Sequence, residues 1–94
     1  QPADPESYVP RFVSDLDLPD EVERQARRLV DAAREDGALS GKSPVGIAAA
    51  AVYAAALLTN RKVTQSEVSE VANISEVTIR NRYKELLEAE DAGA

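Results

Sequence analysis

The sequence predicts an all-α domain of five helices packed around one central helix, with a helix-turn-helix at its C-terminal end. Three observations carry this prediction. The run from Ile47 to Leu58 is apolar on every side, so neighbours must enclose it. Apolar residues elsewhere recur at helical spacing. Residues 64–88, TQSEVSEVANISEVTIRNRYKELLE, read as two short helices joined by a tight turn, the second with a basic, polar face. That is the outline of a DNA-reading device. No strand pattern, low-complexity segment or internal repeat is visible in the 94 residues.

Helix one is expected from about Pro5 to Asp15, with Asp4 as its cap and Pro5 at the first helical position. Tyr8, Phe12 and Leu16 share a face, with Val9 and Val13 beside them. Helix two begins near Pro19, where Asp20 and Glu21 suit the positive end of the helix dipole. Its stripe is Val22, Ala26, Leu29, Val30 and Ala33, and Gly37 is its expected stop. On its exposed face Arg24, Arg27, Arg28 and Arg34 can pair with nearby acids. The loop GALSGK leads to helix three, capped by Ser43 with Pro44 at the first position. Ala48–Ala51 and Ala54–Ala56 permit close helix–helix approach, and Asn60 ends the helix.

Helix four opens with Thr64 and Glu67 at capping-box spacing, and Val63 and Val68 stand where a hydrophobic staple would. Val68, Val71 and Ala72 form its stripe. Asn73 tolerates the left-handed conformation that closes a helix. Helix five opens at Ser75, with Ile74 placed to staple to Ile79. It is expected from Glu76 to Glu88, with Ile79, Tyr83, Leu86 and Leu87 facing the core. An acidic tail, 89–94, is expected to fray.

Ninety-four residues make one domain with a modest core. There is no Cys, His, Met or Trp, which excludes disulfides and most nucleophilic and zinc chemistry. The longest apolar run, twelve residues, is too short to cross a bilayer, and no signal peptide is read. A soluble intracellular domain is the expectation. Gln1 in place of an initiator Met is expected of a segment of a longer polypeptide.

The net charge is −6, but its distribution is uneven. Residues 1–41 carry five basic and ten acidic side chains, residues 42–84 six basic and three acidic, and residues 85–94 four acidic and none basic. The one positive region holds the helix-turn-helix, and distribution is what defines an electrostatic footprint. Arg outnumbers Lys eight to three, and acids crowd the exposed positions, a surface suited to a salt-rich cytoplasm. A halophilic source is therefore expected, the alternative being an ordinary acidic domain.

The candidate base contacts are Val77, Thr78, Arg80 and Asn81, on the outward face near the start of helix five. Arg80 can donate two hydrogen bonds to guanine O6 and N7. Val77, apolar on a face that should be wet, suits a thymine methyl. Thr78 can meet a base or a phosphate or assist the helix start, and Asn81 can read adenine or bond locally. The candidate DNA-backbone contacts are Lys42, Ser43, Arg61, Lys62, Gln65, Ser75, Arg82 and Lys84, which position a protein without carrying sequence information. For each of these the alternative is solvated surface. Tyr8, Phe12, Tyr53 and Tyr83 read as core rather than as a stacking platform.

SPVGIAAAAVYAAALL followed by KVTQSEVSEVANISEVTIRNRYKELLE closely resembles the second cyclin-like repeat of archaeal transcription factor B, in the transcription factor IIB family. The likeness is strongest over residues 43–88 and extends more weakly back through YVPRFVSDLDLPDEV to Tyr8. It implies a five-helix cyclin-like box in a general transcription initiation factor. It also implies binding to the TATA-binding protein on promoter DNA, help in recruiting RNA polymerase, and reading of the B-recognition element by the helix-turn-helix. An Arg at the motif position of Arg80 is associated with base reading in that family. The family's zinc ribbon, its polymerase-reaching linker and its first cyclin repeat have no counterpart in these residues.

Two other classes compete with promoter reading. One is a protein–protein docking module for the TATA-binding protein, polymerase or activators, in which the helix-turn-helix is only structural. The other is an enzyme. The carboxylates fall on solvated helix faces, and no phosphate-cradling Gly loop or nucleophile–base pair is visible. No catalytic residue, cofactor or metal is assigned. A monomer is expected, with no membrane partner.

Overall fold

The structure is a computed structural model that describes residues 4–35, 37 and 43–93, with residues 89–93 described by backbone alone. Among the described residues, a 3₁₀ turn at Pro5–Ser7 is followed by five helices: α1 (Val9–Asp15), α2 (Asp20–Glu35), α3 (Pro44–Leu58), α4 (Gln65–Ala72) and α5 (Glu76–Gly93). The described residues include no strand. The five-helix, all-α architecture is the predicted one.

α3 lies at the centre and packs most extensively against α2 and α5, while also touching α1 and α4. Gly46 to Val52 and Ala54 to Ala56 are all buried, so the uniform apolarity of the run is matched by burial on every side. The distance between two packed helices depends on the side chains at their contact, and alanines bring both α2 and α5 close to α3. The larger side chains come from outside. Leu29 and Val30 of α2, Ile79 and Leu86 of α5, and Val9 of α1 are fully buried. Each contributes about 1.5–3 kcal/mol of apolar burial.

Helix one differs from expectation. A continuous helix from Pro5 would place Pro10 in its interior, where the ring clashes with the carbonyl four residues back and lacks a donor. The chain therefore makes a short 3₁₀ turn, held by Asp4 Oδ1 accepting from the Glu6 N–H at 3.0 Å. It then restarts so that Pro10 falls in the first turn of α1. α5 differs as well. Its backbone stays helical to Gly93, past the expected boundary at Glu88. Ala89, Glu90 and Ala92 are good helix formers, and no breaker intervenes before Gly93.

Three helices end the same way. Asp17, Asn60 and Asn73 adopt positive φ angles of 55°, 66° and 58°. The next residue then donates back into the last turn: Leu18 N–H to Val13 O at 2.9 Å, Arg61 N–H to Ala56 O at 2.7 Å, and Ile74 N–H to Ser69 O at 3.3 Å. This is the Schellman closure, with Asp or Asn taking the place usual for Gly. Gly37, at φ 78°, closes α2 as expected.

The N-terminal turn is fastened to the end of α2. Arg34 Nη2 lies 2.7 Å from Asp4 Oδ1, and its Nη1 lies 3.0 Å from Glu6 Oε2 and 3.6 Å from Asp31 Oδ1. The hydrogen bond to Glu6, opposed by desolvation and aided by the charges of Asp4 and Glu6, holds the Arg34 pKa above its ordinary value.

Candidate nucleic-acid interface

α4 and α5 are set by their caps and by the turn between them. Glu67 N–H donates to Thr64 Oγ1 at 3.1 Å, and Thr64 N–H donates to Glu67 Oε1 at 3.2 Å, completing the capping box. Ser75 Oγ accepts from Thr78 N–H at 3.2 Å and starts α5. The turn between the helices is clamped twice, by the closure at Asn73 and by the Ser69 hydroxyl donating to the Ile74 carbonyl. The crossing of the two helices is thus fixed by hydrogen bonds inside the motif.

The back of α5 is anchored to the core. Ile79 and Leu86 are fully buried, and Tyr83 and Leu87 pack against the core from its margin. Tyr83 meets Tyr53 of α3 edge to face, with ring centroids 5.2 Å apart and planes at 75°, a favoured aromatic geometry.

With that face fixed, helical spacing turns Val77, Arg80, Asn81 and Lys84 outward together, and all four are exposed. Val77 is 58% exposed, the most exposed large apolar side chain among the described residues. It sits among polar neighbours, where a solvated helix face has no use for it.

Thr78 is placed differently. It is half-buried, its hydroxyl lies 2.9 Å from Ser75 Oγ, and its methyl packs toward Gly46, where an added Cβ would stand 3.5 Å away. The structure therefore turns Thr78 off the outward stripe and into the cap. The same contact brings the first turns of α3 and α5 side by side. Their N-caps, Ser43 and Ser75, are both exposed, and the positive ends of both helix dipoles lie there. Lys42 lies outside the described residues.

The remaining expected backbone contacts divide into two groups. Lys62 and Lys84 are exposed and, among the described residues, form no ion pair. Arg61 and Arg82 do: Arg61 Nη2 stands 3.8 Å from Glu21 Oε2 of α2, and Arg82, half-buried, is paired with Glu85. Arg82 is thereby turned to the flank of α5. Lys62 sits on an open groove of about 570 Å³ lined by Leu57, Asn60, Arg61, Val63, Thr64 and Glu67. Gln65, the first residue of α4, accepts through Oε1 a 3.4 Å hydrogen bond from Arg80 Nη2. Sequence reading placed both residues at the interface and missed that they touch each other.

No three His, Cys, Asp or Glu side chains among the described residues are placed to hold a metal ion, and no described helix is long and apolar enough to cross a membrane.

Residues 1–89 match the family described as the transcription factor TFIIB repeat. The chain is 73% identical over 93 residues to transcription initiation factor IIB 2 of Halobacterium salinarum, covering 99% of this chain and 29% of that protein. It is 77% identical over 91 residues to transcription initiation factor IIB 2 of Haloferax volcanii, covering 97% of this chain and 27% of that protein. It is 58% identical over 89 residues to transcription initiation factor IIB of Haloarcula vallismortis, covering 95% of this chain and 78% of that protein. The chain thus spans under a third of the length of the first two.

Proposed function

The chain belongs to the transcription factor TFIIB repeat family, and on that premise we propose that it is the promoter-reading repeat of a general transcription initiation factor. In this reading α5 enters the major groove of the B-recognition element. Arg80 donates to a guanine, Val77 meets a thymine methyl, and Asn81 lies beside them. Lys62, Lys84 and the capped starts of α3 and α5 at Ser43 and Ser75 hold phosphates. The repeat acts with the TATA-binding protein on promoter DNA and supports recruitment of RNA polymerase, inside the cell and without catalysis.

The observation that carries this reading is the outward stripe of α5, which pairs an exposed Val77 with an Arg80 that, among the described residues, bonds only to a neutral amide. Its test is a titration followed by NMR, in high salt, with a duplex carrying a purine-rich B-recognition element beside a TATA box and with a scrambled duplex. Shifts confined to residues 75–84 and stronger for the specific duplex are expected. Equal shifts with both duplexes would defeat base reading.

The similarity to proteins of Halobacterium and Haloferax, together with the acidic surface, supports work at molar salt. Phosphate binding weakens steeply with salt because counterions are released. Few phosphate contacts are therefore expected, with base contacts and the TATA-binding protein supplying the affinity. A salt slope as steep as that of a strongly basic binder would overturn this.

A docking module is the second reading. It draws on Leu57 and Leu58 at the end of α3, which are 41% and 51% exposed, Leu57 lining the same groove as Lys62. Loss of DNA binding with partner binding intact in Arg80→Ala would favour promoter reading over docking.

A further inference from the structure

We propose that Gln65 is a positioning residue for Arg80, holding its guanidinium toward the bases through a neutral hydrogen bond that leaves its charge intact. The proposal rests on the reading of α5 as a base reader. It replaces the sequence-based expectation that Gln65 itself contacts the DNA backbone.

Arg80 projects from an exposed face, where a free arginine samples many rotamers and loses that freedom on binding. Its one hydrogen bond among the described residues, from Nη2 to Gln65 Oε1 at 3.4 Å, ties it to the neighbouring helix across 15 positions of sequence. Both ends of that tie are rigid. Gln65 lies within the capping box of Thr64 and Glu67, directly after the cap, and the α4–α5 turn is clamped by Ser69 and Asn73.

The chemistry of the acceptor matters as much as its position. The chain has seventeen acidic side chains, and Arg11, Arg27, Arg34, Arg61 and Arg82 each lie against a carboxylate. A carboxylate at position 65 would orient Arg80 equally well, but it would neutralise its charge and compete with DNA. An amide oxygen occupies one of the five guanidinium donors and adds no charge. Enough of the fork stays free for the two bonds that guanine O6 and N7 accept.

The test is a selection from a randomised duplex pool with the full-length protein that carries this chain, comparing wild type with Arg80→Ala, Gln65→Ala and Gln65→Glu, each shown to melt at the wild-type temperature. Arg80→Ala is expected to relax the preference at one guanine position by roughly tenfold. Gln65→Ala should relax that same position by about threefold, the scale of one side chain left unrestrained. In an Arg80→Ala background it should add nothing. Gln65→Glu should reduce binding further than Gln65→Ala. The proposal is overturned if Gln65→Ala weakens binding to all sequences alike, relaxes a different position, or retains its effect without Arg80. If Arg80→Ala leaves every base preference intact, the reading of α5 as a base reader fails, and this proposal with it.

Discussion

The exposed face of α2 and the outward face of α4–α5 carry the same kinds of side chain in different arrangements. On the α1–α2 side three arginines are engaged, Arg11 with Asp15, Arg27 with Glu23 at 3.2 Å, and Arg34 with Asp4, Glu6 and Asp31, whereas Arg24 and Arg28, expected to pair, form no ion pair among the described residues. On the other side Lys62, Lys84 and Arg80 form no ion pair among the described residues, and Arg80 leans on an amide instead. A net charge of −6 describes neither face. An arginine that already holds a carboxylate has little field left to offer a phosphate, whereas an unpaired one projects its charge into solvent. What marks the candidate interface is therefore that Arg80 and Lys84 share one outward stripe of α5 and, among the described residues, neither forms an ion pair.

The largest effect should come from removing the support behind the second face. Ile79→Ala leaves a cavity where α5 meets the core and should cost about 2–5 kcal/mol of stability. Chemical denaturation measures it, and a change near zero would mean that α5 is not held by its buried side. Next comes Arg80→Ala, which should cost about 1–3 kcal/mol of discrimination between specific and scrambled duplexes. Stability should stay within about 0.5 kcal/mol of wild type, as for a surface change. Competition binding and melting together check the pair, and a large stability loss would make Arg80 a structural residue.

Lys84→Ala should weaken binding to all sequences similarly and lower the slope of log K against log salt by about 1. Salt titration reads that slope, and an unchanged slope would remove Lys84 from the phosphate contacts. The smallest effect belongs to the first face. Arg34→Ala unfastens the Asp4–Glu6 turn but breaks solvent-exposed pairs, so its cost should stay under about 1 kcal/mol and shrink as salt rises. It should leave DNA binding untouched. Weaker DNA binding in this variant would erase the contrast between the two faces.

Much of this molecule was legible before its fold was known, and the legible parts share a property. Ser43 to Gly46, Thr64 to Glu67, Ser75 to Thr78 and the left-handed Asn60 and Asn73 all act within five residues of chain. Pro10 was equally local and was passed over. Its missing N–H and its ring, in the middle of a supposed helix, suffice to split that helix into a 3₁₀ turn and α1. Within the candidate site the outward positions Val77, Arg80, Asn81 and Lys84 followed from periodicity alone. Thr78 and Arg82 did not, because what turns them aside is a neighbour: the cap hydroxyl and Gly46 for one, Glu85 for the other.

The sequence by itself determined the helices, their ends, the enclosure of α3 and the outward stripe of α5, because caps, breakers and periodicity are short-range and each residue carries its own geometric preference. Only the tertiary structure decided which of the described cations find a partner. Gln65 meets Arg80 across 15 positions, and Arg34 meets Glu6 and Asp4 across 28 and 30. Periodicity says which face of a helix leaves the core, but the partner waiting there depends on how neighbouring helices dock. Docking is set by the packing of α2 and α5 against the alanines of α3, a sum over many contacts that no local pattern contains.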